Sequence, residues 1–202
     1  MKVFLFDYDG TLAVDNGFAE SYFKSLALFF EKEDVFVSKQ LILECVEYIT
    51  KNPNGFTNME RFTKCLEKKT GKIASEWERI FMEFYSGEFF DTLKGTLKPI
   101  GKVLELLKER KKEGKIVLAT NPVFPKLAII KRLNWIGLSE SDFDLITDME
   151  NFHFCKPDPR YYLEICEKLN ASPEDCIMYG DDDVNDGVCE KIGMKFFNVR
   201  SF

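Results

Sequence analysis

Near its amino terminus the chain reads VFLFDYDGT (residues 3–11), an apolar run that ends at two aspartates. A short, continuous apolar run is typical of a strand covered on both faces, as in a parallel sheet. Asp7 and Asp9 lie two residues apart, so their carboxylates can converge where the chain turns at Gly10. Carboxylates that converge repel one another, so one holds a proton near neutral pH unless a metal ion keeps it ionised. The motif alone also occurs in calcium loops and polar turns, so its interpretation depends on the rest of the chain.

Strands and helical patterns alternate over much of the sequence. Apolar runs at 116–119 and 177–179 end in polar residues as the first run does, and weaker strand candidates lie at 143–146 and 196–199. Helical patterns lie between them, one over 100–107 that stops at Gly114 as a left-handed cap, and one over 162–169. This alternation predicts an α/β fold, a doubly wound parallel sheet with its ligands at the strand ends.

The alternation stops between residues 15 and 91, where apolar side chains recur at helical spacing in four stretches. Two capping boxes, Thr57 with Glu60 and Ser75 with Glu78, support the last two helices. We therefore expect a small helical bundle, called the insert (residues 15–91), placed after the first strand and over the strand ends. The remaining residues, 1–14 and 92–202, form the predicted core.

Polar residues follow the other predicted strands as well. Thr120 and Asn121 come after the second strong strand, Lys156 precedes a Pro-Asp-Pro turn, and GDDDVND occupies residues 180–186. Acidic groups at two strand ends suit a hard cation such as Mg²⁺. A hydroxyl, a lysine and exposed backbone N–H groups suit an anion. A cation site beside an anion site predicts phosphate chemistry.

The order of these motifs resembles that of the haloacid dehalogenase (HAD) superfamily, whose hydrolases carry DxDGT, a strand-end Thr or Ser, a Lys and a GDxxxxD-type motif. The resemblance covers 1–14 and 92–202, and the insert looks like the family's helical cap. It implies a HAD-like Rossmannoid core and an enzyme of the phosphatase branch. The implied substrate is a small phosphorylated metabolite such as a sugar phosphate, phosphoglycolate or a nucleoside monophosphate.

The resemblance also implies roles, residue by residue. Asp7 would attack phosphorus to give an aspartyl-phosphate, and Asp9 would protonate the leaving oxygen and then take a proton from the attacking water. Four residues would bind the transferring phosphoryl group: Gly10, Thr120, Asn121 and Lys156.

The acidic residues have implied roles around the metal. Mg²⁺ would lie between Asp7, the backbone carbonyl of Asp9 and Asp181. Asp186 would orient the lysine or a metal-bound water. Of Asp182 and Asp183, one would replace the residue that often follows the metal aspartate in the family, and the other would be a solvated loop charge; Asp182 is the candidate for a position next to the metal ligands. The first helix of the insert must pass near the site, which gives three weaker candidates for substrate contact: Phe18, Tyr22 and Lys24.

Other functions stay open at this stage. Asp9 argues against the dehalogenase and phosphonatase branches, which lack this acid, and the ion-pumping members need membrane helices. A sugar-phosphate mutase uses the same core residues. A non-catalytic phospho-receiver or regulatory protein is a rival of a different class, although in receivers the acidic pair comes early rather than last.

Composition excludes several classes of protein. Lys and Arg total 28 against 34 for Asp and Glu, a net charge of −6, which argues against nucleic-acid binding. No apolar run approaches the roughly 18–20 residues of a membrane helix, so we expect a cytoplasmic protein that does not bind membranes, monomeric by default. The six cysteines form no CxxC pair, and His153 is the single histidine, which argues against a zinc site and favours buried, reduced thiols. We expect His153 to be a hydrogen-bonded loop residue.

Overall fold

A five-stranded, all-parallel sheet forms the centre of the computed structural model, which describes residues 1–201. Its strand order is β5-β4-β1-β6-β7. The strands are β1 Val3–Phe6, β4 Lys115–Leu118, β5 Leu145–Ile146, β6 Cys176–Gly180 and β7 Lys195–Asn198. The predicted α/β class and the strands are thereby confirmed, the two weaker candidates included.

The register of the three central strands brings the motifs to one edge. Phe6 at the end of β1 pairs with Leu118 of β4 and with Tyr179 of β6. All three strands run in the same direction, so the residues that follow them emerge at the same level. This alignment places the residues after β1, β4 and β6 side by side at the carboxyl edge of the sheet.

Helices cover both faces of the sheet, because successive side chains of a strand point to opposite sides. Phe4 and Phe6 pack in one apolar cluster with α6 (Gly101–Arg110) and α7 (Lys126–Trp135), and this cluster continues into the insert. Val3 and Leu5 pack on the other face with α8 (Pro159–Leu169). Four 3₁₀ turns complete this part of the chain: Glu140–Asp142, Pro173–Asp175, Gly187–Ile192 and Val199–Ser201.

Five helices, rather than the four expected, lie in the insert. They are α1 Phe18–Lys32, α2 Lys39–Lys51, α3 Asn58–Thr70, α4 Ala74–Ser86 and the single turn α5 Glu88–Asp91. Two short strands enclose them, because β2 (Ala13–Asp15) pairs antiparallel with β3 (Leu97–Pro99). No local sequence pattern predicts this pairing, which brings the two ends of the insert together.

Two local predictions were wrong. Ser75 lies inside the first turn of α4, whose N-cap is Ile73, although the box of Thr57 and Glu60 is formed as expected. Gly114 does not adopt a left-handed conformation. A Cβ atom there would lie 2.2 Å from the carbonyl oxygen of Lys2, so glycine is needed for close approach to β1 rather than for a helix cap.

The expectations from composition can be compared with the structure. All six cysteines are buried and unpaired. Across residues 1–201, no helix has both the length and the apolar character to cross a bilayer. The division into a core and a cap domain stays a prediction.

Candidate active site

A buried lysine joins two carboxylates at the carboxyl edge of the sheet. Lys156 Nζ donates to Asp7 Oδ1 at 2.9 Å and to Asp186 Oδ1 at 2.6 Å. The three side chains come from the end of β1, the loop before α8 and the loop after β6. Their exposed fractions are 3% for Lys156, 12% for Asp7 and 2% for Asp186. The motifs that the sequence separates by up to 149 positions are therefore in direct contact.

Burial controls the charge state of this group. It raises the pKa of Asp7 to about 7. Attraction by Lys156 lowers this pKa in part, and repulsion by Asp186 raises it further. Burial opposes the charge of Lys156 too, but attraction by the carboxylates outweighs it and raises the pKa of the ammonium well above its usual value. With every group ionised, two carboxylates face one ammonium, which leaves excess negative charge for a cation to offset.

Asp181 completes an acidic cluster with Asp7 and Asp186, since one carboxylate oxygen of each lies within 4.8 Å of the others. Gly10 makes room for this cluster: its φ is +79°, and a Cβ atom there would lie 2.2 Å from Asp181 Oδ2. Three converging carboxylates are the hard oxygen donors that Mg²⁺ takes. The residues therefore fit the metal, although Asp181 also pairs with Arg200, a partner that sequence reasoning missed.

The loop after β6 is folded by its own acidic residues. Asp182 Oδ1 accepts hydrogen bonds from the N–H groups of Val184 and Asn185, at 2.8 and 2.9 Å. These bonds hold the pKa of Asp182 below its usual value, against a smaller effect of burial. Asp183 is exposed and accepts from the Asn198 side chain. Asp182 thus shapes the loop that carries Asp181, and Asp183 lies outside the acidic cluster.

Thr120 and Asn121 follow β4, at the same edge of the sheet. The side-chain oxygen of Asn121 accepts from the backbone N–H of Lys156 at 3.2 Å, which ties the second motif to the third. Both residues line a cavity of about 220 Å³, called the site cavity. Its other walls are Asp7, Asp9, Val123, Phe124, Lys156, Asp181, Asp182, Asn185 and Asp186.

Arg132 is a site residue that the sequence did not reveal. It lies on α7 with a side chain only 2% exposed, and it pairs with the carboxylate of Asp9. Its guanidinium carbon lies 4.2 Å from the ring centre of Tyr8 and 4.5 Å from that of Phe18. The sequence of α7 is basic and amphipathic, which predicts that an arginine in it is solvated. Only its burial in the fold shows that it holds Asp9.

A second cavity, of about 300 Å³, lies between α7 and the insert and shares Asp9, Val123 and Phe124 with the site cavity. Phe18 and Tyr22 line it, as expected of residues that face the site. Lys24 lines neither cavity and is exposed, and its contact with substrate stays a prediction that these cavities do not support. Two residues beyond Tyr22, the helical rotation turns its side chain to solvent.

His153 lies outside both cavities. Its Nδ1 lies 2.7 Å from Glu164 Oε1, and its backbone N–H donates to the other oxygen of the same carboxylate. The expectation of a hydrogen-bonded loop histidine is confirmed.

Carboxylates and an ammonium thus meet at the carboxyl edge of a doubly wound parallel sheet. The family model for haloacid dehalogenase-like hydrolases matches residues 1–187. The chain therefore belongs to the HAD-like hydrolase family. Mg²⁺ is the cofactor of this family, and the acidic cluster fits that ion.

Solved structures share the fold at low sequence identity. A HAD-family enzyme from Bacteroides thetaiotaomicron, in complex with magnesium and inorganic phosphate, is 14% identical with a TM-score of 0.60, over 98% of this chain and 93% of that one. A 2-haloacid dehalogenase from Pseudomonas syringae pv. Tomato is 17% identical with a TM-score of 0.65, over 97% and 85%. CbbY from Rhodobacter sphaeroides, in complex with xylulose-1,5-bisphosphate, is 19% identical with a TM-score of 0.63, over 96% and 84%. A search of curated proteins gave no match.

Proposed function

We propose that this protein is a Mg²⁺-dependent phosphomonoester hydrolase that works through an aspartyl-phosphate. Its substrate is a small phosphorylated molecule. The observation that carries the proposal is the contact of Lys156 with Asp7 at the strand end, with Asp9 two residues further along the chain. A nucleophile, a cation for the phosphoryl oxygens and an acid–base group thus adjoin one cavity.

In the first half-reaction, an Asp7 oxygen attacks phosphorus, and the bond to the leaving oxygen breaks. Lys156 stabilises the charge on the phosphoryl oxygens, together with Thr120 and the backbone of the turn at Gly10. Asp7, Asp181 and the backbone carbonyl of Asp9 would hold Mg²⁺, which would neutralise part of the negative charge at this site. Asp186 keeps the lysine in place through its 2.6 Å contact.

Asp9 moves the protons. It donates one to the leaving oxygen and then accepts one from the water that hydrolyses the aspartyl-phosphate, so it ends each cycle in its starting state. Its side chain is 53% exposed and lies between the two cavities, with Arg132 as its anchor. This position suits a group that must meet the leaving oxygen and later a water molecule.

Measuring phosphate release tests the proposal. A panel of phosphate monoesters is incubated with the protein, with Mg²⁺ and with a chelator, beside the variants Asp7→Asn and Asp183→Asn. We expect Mg²⁺-dependent release that Asp7→Asn abolishes. Asp183→Asn is the matched control, since it removes the same charge from the same edge but at an exposed carboxylate outside the cluster.

The alternatives give different products. Halide release from 2-haloacids would indicate a dehalogenase, although Asp9 argues against one. Isomerisation of a sugar phosphate without net phosphate release would indicate a mutase. Stable phosphate on Asp7, with no turnover, would indicate a phospho-receiver.

A further inference from the structure

The cavity of about 300 Å³ beside Asp9, called the aromatic cavity, begins where the leaving group must lie. An acid that protonates the leaving oxygen touches that oxygen, so the rest of the leaving group continues beyond the acid. Asp9, Val123 and Phe124 line both cavities. A phosphate in the site cavity therefore directs the remainder of its ester into the aromatic cavity.

The walls of this cavity are almost entirely apolar. They come from four elements of the insert and from the core segment around α7. The apolar lining includes Phe18, Phe23, Ile42, Val46, Phe62 and Phe81. Such a surface stabilises a bound hydrocarbon group, and it offers no set of hydrogen-bond partners for the hydroxyls of a polyol.

Apart from the buried Nε of Arg132, the polar groups along the cavity have partners within the protein. The Tyr22 and Tyr85 hydroxyls lie 2.8 Å apart and bond to each other. Asp15 accepts from the first N–H groups of α1. The charge of Arg132 is paired with that of Asp9. The buried Nε of Arg132 has no acceptor, and aromatic rings enclose the guanidinium to which it belongs. A second phosphate or a carboxylate would find Arg132 as the one cation of the lining, and Asp9 already pairs with it.

The cavity is built into the resting fold, because the insert is bonded to the core at its wall. The N–H of Met59 donates to the carbonyl of Met149 at 2.9 Å, and both side chains line the cavity. Beside this bond, Asn58 is fully buried and donates from its side chain to the Pro122 carbonyl at 3.0 Å. These contacts cross the boundary between α3 and the core, so the apolar wall is fixed before a ligand enters.

From this geometry we infer that the natural ester carries an apolar leaving group, an alkyl or aryl alcohol, and that the aromatic cavity binds it. This inference rests on the proposed phosphatase activity. Among the substrate classes expected from the sequence, it disfavours phosphoglycolate and sugar phosphates, whose leaving groups carry a carboxylate or several hydroxyls.

A ladder of n-alkyl phosphates, from methyl to octyl, tests it. These esters release primary alcohols of nearly equal chemistry, so differences in kcat/KM report binding of the chain in the transition state. We expect kcat/KM to rise about fourfold per methylene over the first several carbons, the factor that corresponds to burying one methylene. Glucose 6-phosphate and phosphoglycolate should fall below butyl phosphate. A flat ladder, or a preference for the polar esters, overturns the inference and leaves the phosphatase intact.

Two variants locate the effect. Val46→Trp places a large ring in the aromatic cavity from α2 and should lower the hexyl-to-methyl ratio of kcat/KM at least tenfold. Leu28→Trp makes a similar change at a side chain that is 49% exposed on α1, and should leave the ratio as in the wild type. An unchanged ratio in Val46→Trp would place the chain elsewhere and overturn the assignment of the cavity.

A binding measurement separates the two proposals. Titration calorimetry of the metal-free wild type with n-alkanols, from propanol to octanol, probes the cavity without turnover. Tighter binding with each methylene supports the apolar subsite even if no ester is hydrolysed, in which case the phosphatase proposal alone fails. Absence of both hydrolysis and alkanol binding overturns both.

Discussion

Without metal, the buried carboxyl of Asp7 should make the stability of the protein fall as pH rises. Burial raises its pKa from the ordinary 3.8 to about 7. The folded state therefore binds this proton more tightly than the unfolded chain does, and the free energy of unfolding falls with pH between those two values. Each pH unit in this window removes about 1.4 kcal/mol. From pH 5 to pH 8 the loss attributable to Asp7 is about 3 kcal/mol.

Asp7→Asn removes the titrating proton and keeps an oxygen that can accept from Lys156. We expect the variant to lose about 3 kcal/mol less than the wild type between pH 5 and pH 8, and to be the more stable protein at pH 8. Urea unfolding in the presence of a chelator, followed by the fluorescence of Trp77 and Trp135, measures the difference at both pH values. Mg²⁺ added at pH 8 should stabilise the wild type and leave Asp7→Asn nearly unchanged.

Glu150 supplies the matched control. Burial raises its pKa to about 7 as well. Hydrogen bonds from backbone N–H groups, chiefly that of Lys126, oppose this rise, and repulsion from Asp148 adds to it. Glu150→Gln should reduce the pH dependence in its own right but leave the stabilisation by Mg²⁺ intact. Equal pH dependence in the wild type and Asp7→Asn would refute the reasoning, since the proton would then be bound elsewhere.

Three further substitutions test the site. Lys156→Met leaves two buried carboxylates without their cation, so phosphate release should fall at least a hundredfold. The free energy of unfolding, measured in chelator at pH 8, should fall by about 3 kcal/mol or more. Near-normal rates would contradict the role of this lysine. Gly10→Ala puts a methyl group against Asp181 in a left-handed backbone, so the Mg²⁺ concentration for half-maximal activity should rise at least tenfold; an unchanged value would mean that the turn is not part of the metal site. Arg132→Met should lower kcat by about tenfold or more and change KM less, because Asp9 loses the ion pair that holds it. A change in KM alone would assign the arginine to binding.

Much of the fold could be predicted because its signals are local. β1 and β6 are short apolar runs that end in acidic motifs, and a parallel sheet converts that pattern into proximity at one edge. Motif order places Lys156 in the same site, and its contact with Asp7 agrees with that prediction.

The missed features depend on contacts between distant parts of the chain. β2 and β3 are three residues each, and they form a sheet only because 81 intervening residues bring Asp15 and Leu97 together. Arg132 is separated from Asp9 by 123 positions, and nothing in its own helix distinguishes it from a solvated arginine. Gly114 is required by the backbone of Lys2, which no capping rule considers.

The aromatic residues of the insert show where periodicity ceases to decide function. The spacing of Phe62 and Phe81 predicts buried helix faces, and these side chains are buried; they also line the cavity. A core side chain and a cavity wall produce the same helical stripe, since both face inward. They differ energetically, because the side chains of a cavity wall lack packing neighbours on the cavity side and leave apolar surface in contact with water. A bundle shaped only for stability would close that space with larger side chains, so the open volume beside Asp9 favours a cavity that a ligand fills.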